Sequence, residues 1–171
     1  SHEIVAFPQH GLLRSNVEGL LREAMDLGVT HVGGLDPTVV DGNMEKSLET
    51  MVQIAVDYNV GIDIHLHEGG EKGIRAINRL ADFTEEAGLK GKITISHAFA
   101  LASLSEESGT ELAKRLGSLG ISIASTVPIG KTVMPIPLLL RQGVEVLLGN
   151  DSITDHWSPF GIGDILQKAH L

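Results

Sequence analysis

Five side chains in this sequence have the types and spacing for acid–base or metal chemistry. They are His65, His67 and Glu68 in "GIDIHLHEGGE", His97 in "ITISHAF" and Asp151 in "LLGNDSITDHW". His65, His97 and Asp151 form a mixed nitrogen and oxygen donor set suited to Zn2+ or Fe2+. Three protein groups plus water is an arrangement that generates hydroxide near neutral pH. A carboxylate close by, Glu68, would then carry protons, so the set points to hydrolysis at an electrophilic carbon. Each residue also has a plainer reading. A strand histidine is often a satisfied core residue, and Glu68 would equally cap a following helix with Gly69 and Gly70 as the turn. Asp151 ends an apolar run, where burying an unpaired carboxylate is costly; a metal or a protonated partner is the economical reason for placing it there.

The elements that must position these residues follow from periodicity. Six short runs rich in Val and Ile have the length and β-branching of strands: Ile4–Phe7, Thr30–Leu35, Val60–Leu66, Lys92–Phe99, Ile121–Thr126 and Val144–Gly149. Between them apolar residues recur at helical spacing, as in Val17, Leu20, Leu21 and Met25, or Leu48, Met51, Ile54 and Ala55. Gly28, Gly88, Gly120 and Gly143, with Asn59, stand where a left-handed residue would close a helix just before the next strand. Strict β–α alternation implies a parallel sheet, either open and doubly wound or part of a barrel. The unit recurs roughly every 25–31 residues, close to one eighth of the ~250 residues of a (β/α)8 barrel. The first strand leads into "FPQHG", which is not a glycine-rich phosphate loop.

Polar residues gather at the C-terminal ends of these strands, where parallel α/β folds build their sites. The first strand ends in Gln9 and His10, the second in Asp36, and the third in His65, His67 and Glu68. The fourth ends in His97, the fifth in Ser125 and Thr126, and the sixth in Asn150, Asp151 and Ser152. His2, His31 and His170 lie elsewhere and are expected to be surface or packing residues.

Bulk properties narrow the function class. The 171 residues suffice for one domain with a substantial core, and 42% hydrophobic against 20% charged residues is the composition of a folded protein. A net charge of −9 disfavours nucleic acid and anionic membrane surfaces as partners. The absence of cysteine removes disulfides and thiolate metal sites, and no apolar run is long enough to span a bilayer. The expectation is a cytoplasmic protein.

The blocks "VAFPQHGLL", "IDIHLHE", "ITISHA" and "GNDSITDHWSPFG" resemble, in order and along nearly the whole chain, those of the cytosine deaminase-like branch of the metal-dependent amidohydrolase superfamily. The resemblance implies an α/β fold, a partial (β/α)8 TIM barrel in which these six β–α units correspond to strands three to eight. Residues 1–171 would then be a single domain, a fragment lacking the first two strands and the flanking β-sandwich. His65 matches the metal-binding histidine of the fifth barrel strand, His97 the sixth-strand histidine that contacts the metal or its water, and Asp151 the eighth-strand aspartate that binds metal and takes a proton from the water. Glu68 matches the glutamate that shuttles a proton to the ring nitrogen, and Gln9 the glutamine that grips the ring's amide edge. Trp157 falls on a tryptophan near the pocket.

The activity implied is hydrolytic deamination of an aminated N-heterocycle by metal-bound hydroxide, with one divalent ion, Zn or Fe, in the intact enzyme. The superfamily's first-strand His-x-His pair is missing, so this fragment alone is expected to be inactive and is not expected to hold the ion fully. The His65–His67 pair belongs instead to the fifth strand, where alternation puts Asp63, His65 and His67 on the inward face; it provides one ligand and one neighbour. His67 and Ser152 stand where an acidic residue is usual, so both are expected to choose the substrate, a pyrimidine, triazine or pterin-like ring being as plausible as cytosine. Alternatives are an amidohydrolase cleaving a cyclic amide or an N-alkyl amine bond, and a non-catalytic α/β ligand-binding chain. The expected partners are a small heterocycle and further copies of the chain, since a six-stranded piece of a barrel exposes two sheet edges.

Overall fold

In a computed structural model, residues 2–128, 132–154 and 163–170 are described. Every expected strand forms, trimmed at its ends: β1 Val5–Ala6, β2 His31–Leu35, β3 Gly61–Leu66, β4 Ile93–His97, β5 Ser122–Ser125 and β6 Val146–Leu148. The helices are α1 Val17–Asp26, α2 Met44–Tyr58, α3 Gly70–Glu86, α4 Glu106–Leu119, α5 Ile136–Arg141 and α6 Ile165–His170, with a 3-10 turn at Phe99–Ser103. Gly28, Gly88, Gly120, Gly143 and Asn59 all adopt the positive φ expected of helix-closing residues.

All neighbouring strands are parallel, in the order β1-β2-β3-β4-β5-β6. The order decides between the two architectures open to a β–α repeat. A doubly wound sheet reverses its strand order to place helices on both faces. A consecutive order with right-handed crossovers sends every helix to one face, and such a sheet curls into a barrel wall. The molecule is therefore a partial (β/α)8 barrel.

The two faces of this wall differ in chemistry row by row. One row in register runs Gly34, Ile64, Ile95, Ile123 and Val146 and faces the helices. Ile64, Ile95 and Ile123 are buried with Met51 and Ile54 of α2, Ile77 and Leu80 of α3 and Leu116 of α4. The next row runs Leu35, His65, Ser96 and Ala124 on the opposite, inward face. Burial of β3 alternates strictly, with Ile62, Ile64 and Leu66 covered and Gly61, Asp63 and His65 partly open. A period of two thus anchors β3 by its isoleucines and leaves its polar residues facing the barrel interior.

One expectation fails at β6. It pairs only with β5 among the described residues, Leu147 and Leu148 are 40% and 38% exposed, and Asp151 is exposed rather than buried. Among the described residues no second strand lies beside β6 to cover its end. No helix among the described residues is long and apolar enough to cross a membrane.

Candidate active site

The site grows from the end of β3. Its twist presents His65 inward, where the ring lies 4.7 Å from the Phe7 ring just past β1. Beneath it Asp63 Oδ1 accepts a hydrogen bond from Ser96 Oγ at 2.9 Å and lies 3.5 Å from His65 Nδ1, too long for a hydrogen bond. His97 is in register with Leu66, and parity would send it into the helix layer. Instead its ring lies 5.2 Å from that of His65 and 4.2 Å from that of His67, with the Phe99 ring edge-on at 5.3 Å. Its φ of 70° is the departure from strand geometry that accompanies this turn inward.

Positive φ at non-glycine residues recurs along this rim: Asp36 (38°), His97 (70°), Ala98 (50°), Val127 (49°) and Asp151 (66°). For a β-branched valine that conformation is a steric outlier, and each residue carries strain that surrounding structure must hold in place. Strained backbone collects at the C-terminal end of the sheet, the end at which the polar residues converge.

His65, His97 and Asp151 come together there, each with one ligand atom within 4.8 Å of the others. In a flat sheet β3 and β6 would be three strand spacings apart, ~14 Å at ~4.8 Å each. The convergence is a consequence of the curl.

The loops after β2 and β3 are tied by a reciprocal exchange of carboxylates and amides. Asp36 Oδ1 accepts from the backbone N–H of His67 (2.6 Å) and of Glu68 (3.1 Å), while Asp36 Oδ2 meets His67 Nδ1 at 2.9 Å. In return Glu68 Oε1 accepts from the backbone N–H of Thr38 (2.8 Å) and Val39 (2.7 Å). Glu68 is therefore not a helix cap: Gly69 holds that position for α3, and no side chain bonds there. Glu68 is buried, and its Oε2 has no hydrogen-bond partner among the described residues.

These contacts set the charges. Burial holds the His97 ring down to about 4, aided by the neighbouring His67 and His65, so the ring stays neutral over the range in which an ordinary histidine titrates. His67 is shifted upward, first by its hydrogen bond to Asp36 and against the effect of its own burial. Asp36 is lowered: burial opposes its charge, but the bonds from the His67 ring and from the His67 and Glu68 backbone outweigh it.

Of the residues singled out in the sequence, His65, His97 and Asp151 meet, and His67 and Glu68 adjoin them on the β3 loop. Gln9 lies exposed in the turn after β1, at the same end of the sheet, and no hydrogen bond of its side chain joins it to the cluster among the described residues. Ser152 follows Asp151 and is partly buried. Trp157 lies outside the described residues. Sequence reasoning noted Asp36 only as one more polar strand end and gave no role to Phe7, Phe99 or Ser96. Strand alternation could have paired Ser96 with the inward row; nothing local announces the Asp36 exchange, which joins residues about thirty apart.

The residues fit a divalent ion. Among the described residues each of the two histidines has a buried Nδ1 without a hydrogen-bond partner, and two imidazoles with one carboxylate are donors of the kind that bind zinc or iron. A neutral His97 is already in the form that ligates.

The chain is 61% identical over 170 residues to the uncharacterized protein YahJ of Escherichia coli K12, covering 99% of this chain and 37% of that protein. Among solved structures, N-isopropylammelide isopropylaminohydrolase from Burkholderia multivorans superposes with a TM-score of 0.93 at 38% identity, over 98% of this chain and 43% of that one. 5-Methylcytosine deaminase from Klebsiella pneumoniae, liganded with phosphonocytosine, superposes with a TM-score of 0.81 at 28% identity, over 96% of this chain and 44% of the other. The chain thus spans about two fifths of the length of these three proteins. A model of the amidohydrolase family matches residues 2–171, in agreement with the blocks around His65, His97 and Asp151, and the chain belongs to that family.

Proposed function

We propose that the protein carrying this chain hydrolyses an exocyclic C–N bond of a small N-heterocycle, with one divalent ion, Zn or Fe, held in part by His65, His97 and Asp151. The observation that carries this reading is the convergence of those three residues from β3, β4 and the end of β6. A bound ion would supply Lewis acidity and lower the pKa of a water molecule. His65, His97 and Asp151 would hold the ion through imidazole nitrogens and a carboxylate oxygen, and Asp151 would also accept the proton that the attacking water releases. Glu68 is fixed through Oε1, so Oε2 is the atom left to deliver a proton to the ring nitrogen. The water oxygen bonds to the ring carbon; the proton held by Asp151 then passes to the exocyclic nitrogen as its C–N bond breaks, and the hydroxyl proton returns to Glu68 as the ring carbonyl forms. Gln9, His67, Ser152 and Trp157 are assigned to the substrate: Gln9 to the ring's amide edge, the others to the pocket wall that selects the ring and its substituent.

Two leaving groups fit this chemistry, ammonia and an alkylamine. Similarity to the isopropylammelide enzyme, higher in both identity and TM-score than to the deaminase, favours the alkylamine. The test is the full-length protein, loaded with zinc or iron and offered pyrimidines, triazines and pterins carrying –NH2 or –NH-alkyl groups. Release of ammonia or alkylamine is expected, with about one ion per chain by metal analysis. Ring opening without amine release would point to cyclic amide cleavage, and ligand binding without any bond cleavage to a non-catalytic chain; either result overturns the proposal.

β1 and β6 each pair on one side only among the described residues, and self-association of the 171-residue chain through these edges is the expected consequence. A sizing profile that stays monomeric across concentrations would rule it out.

A further inference from the structure

The exchange between the loops after β2 and β3 gives a task to a residue outside the proposed metal and catalytic set. We propose that Asp36 is a positioning residue, which fixes the His67 ring with a proton on Nδ1 and so leaves Nε2 as the one ring nitrogen free to meet a substrate. This rests on the proposed function, through its assignment of His67 to the substrate pocket.

Three observations carry it. First, the two carboxylate oxygens have different duties. Oδ1 takes the backbone N–H groups of His67 and Glu68, and Oδ2 faces His67 Nδ1. An ionised carboxylate only accepts, so Nδ1 must donate, whatever the state of Nε2. Second, Asp36 cannot swing away. Its own N–H donates to the His65 carbonyl at 3.0 Å, and its carbonyl accepts from Val40 N–H at 2.8 Å. Third, Asp36 holds a φ of 38°, a strained value for a residue with a side chain, and the Glu68 carboxylate reinforces the arrangement by binding the Thr38 and Val39 amides in the same loop. One strained residue at the end of β2 thereby sets the ring on the end of β3.

A purely structural turn would not need a carboxylate. Asparagine accepts a left-handed backbone at least as well as aspartate and keeps an oxygen for the two backbone N–H groups. Its amide nitrogen would then face His67 Nδ1 as a donor and force that atom to accept, moving the ring proton to Nε2. Flipping the amide would restore the ring contact only by setting a donor against two N–H groups, which is worse. Asp36→Asn therefore separates holding the loop from orienting the ring.

The test uses the full-length protein in two arms. In the metal-free protein, nitrogen-edited NMR of the imidazoles should find the His67 proton on Nδ1 in the wild type and on Nε2 in Asp36→Asn. A wild-type ring protonated on Nε2 alone overturns the proposal, even should the variant fold poorly. In the turnover arm, Asp36→Asn should lower kcat/KM by about tenfold or more in the wild-type background and by less than about twofold in a His67→Gln background, because its effect passes through that ring. An equal loss in both backgrounds would mark Asp36 as merely structural and overturn the proposal. Should the wild-type protein release no amine from any heterocycle, the functional reading fails while the NMR arm still decides the role of Asp36.

Discussion

Glu68 offers a perturbation in which stability and chemistry should separate. Oε1 takes two backbone N–H groups, from Thr38 at 2.8 Å and Val39 at 2.7 Å, while Oε2 is buried without a partner among the described residues. Glu68→Ala removes the acceptor of both amides. Leaving a donor unsatisfied costs ~1–3 kcal/mol, and both lie where water can restore part of the loss, so a total of about 2–3 kcal/mol is expected. For a domain of this size that is a fall of about 5–10 °C in melting temperature. Glu68→Gln keeps a carbonyl oxygen for the same two amides and loses only the charge assistance, about 1 kcal/mol and a few degrees. Turnover should respond differently. An amide cannot carry the proton, so both variants should lose about 10²- to 10⁴-fold in kcat. Thermal unfolding followed by circular dichroism and amine release by the full-length protein measure the two quantities. If Glu68→Gln melted as low as Glu68→Ala, the anchoring of Oε1 would be refuted. If Glu68→Gln kept its kcat within about threefold, Oε2 would have no part in proton transfer.

Three further outcomes are expected. In titration calorimetry, replacing His65, His97 or Asp151 by alanine in the full-length protein should weaken zinc binding by at least about tenfold each; a variant that binds as the wild type does would remove that residue from the ligand set. Gly73→Ala would push a methyl group into the Glu68 carbonyl oxygen and the Ala100 side chain. Neither can give way freely, so a loss of about 1–3 kcal/mol should appear in thermal unfolding, and an unchanged melting temperature would contradict the packing. In the metal-free chain His97 holds its proton more weakly than the unfolded chain does, its folded value being about 4 against an ordinary 6.5. Between those values the unfolded state binds more protons, so the contribution of His97 to stability is complete above about pH 6.5 and is lost as the pH falls toward 4. Urea midpoints across that range should drop, and should drop less in His97→Gln; equal slopes would show that His97 is not the group responsible.

What could be read in the sequence was whatever local chemistry dictates. Isoleucines at alternate positions in β3 bury one face, so Asp63, His65 and His67 had to share the other. Glycines and Asn59 placed before strands marked the helix ends, since a left-handed residue is needed there. The candidates for a ligand set were legible too, because imidazole and carboxylate side chains stand out at the ends of apolar runs. Three features were decided only by tertiary structure. Strand order, which no periodicity encodes, made the sheet a barrel wall rather than a doubly wound sheet. Curl then brought Asp151 across three strands to His65, a proximity that depends on the accumulated twist of the whole sheet. The backbone at His97 left strand geometry and turned a ring that parity assigns to the helix layer into the site, and Asp36 found its partners on the next strand. Alternation and capping act over a few residues and are written in the chain; convergence depends on where distant strand ends come to rest, and that is settled only when the whole sheet has curled.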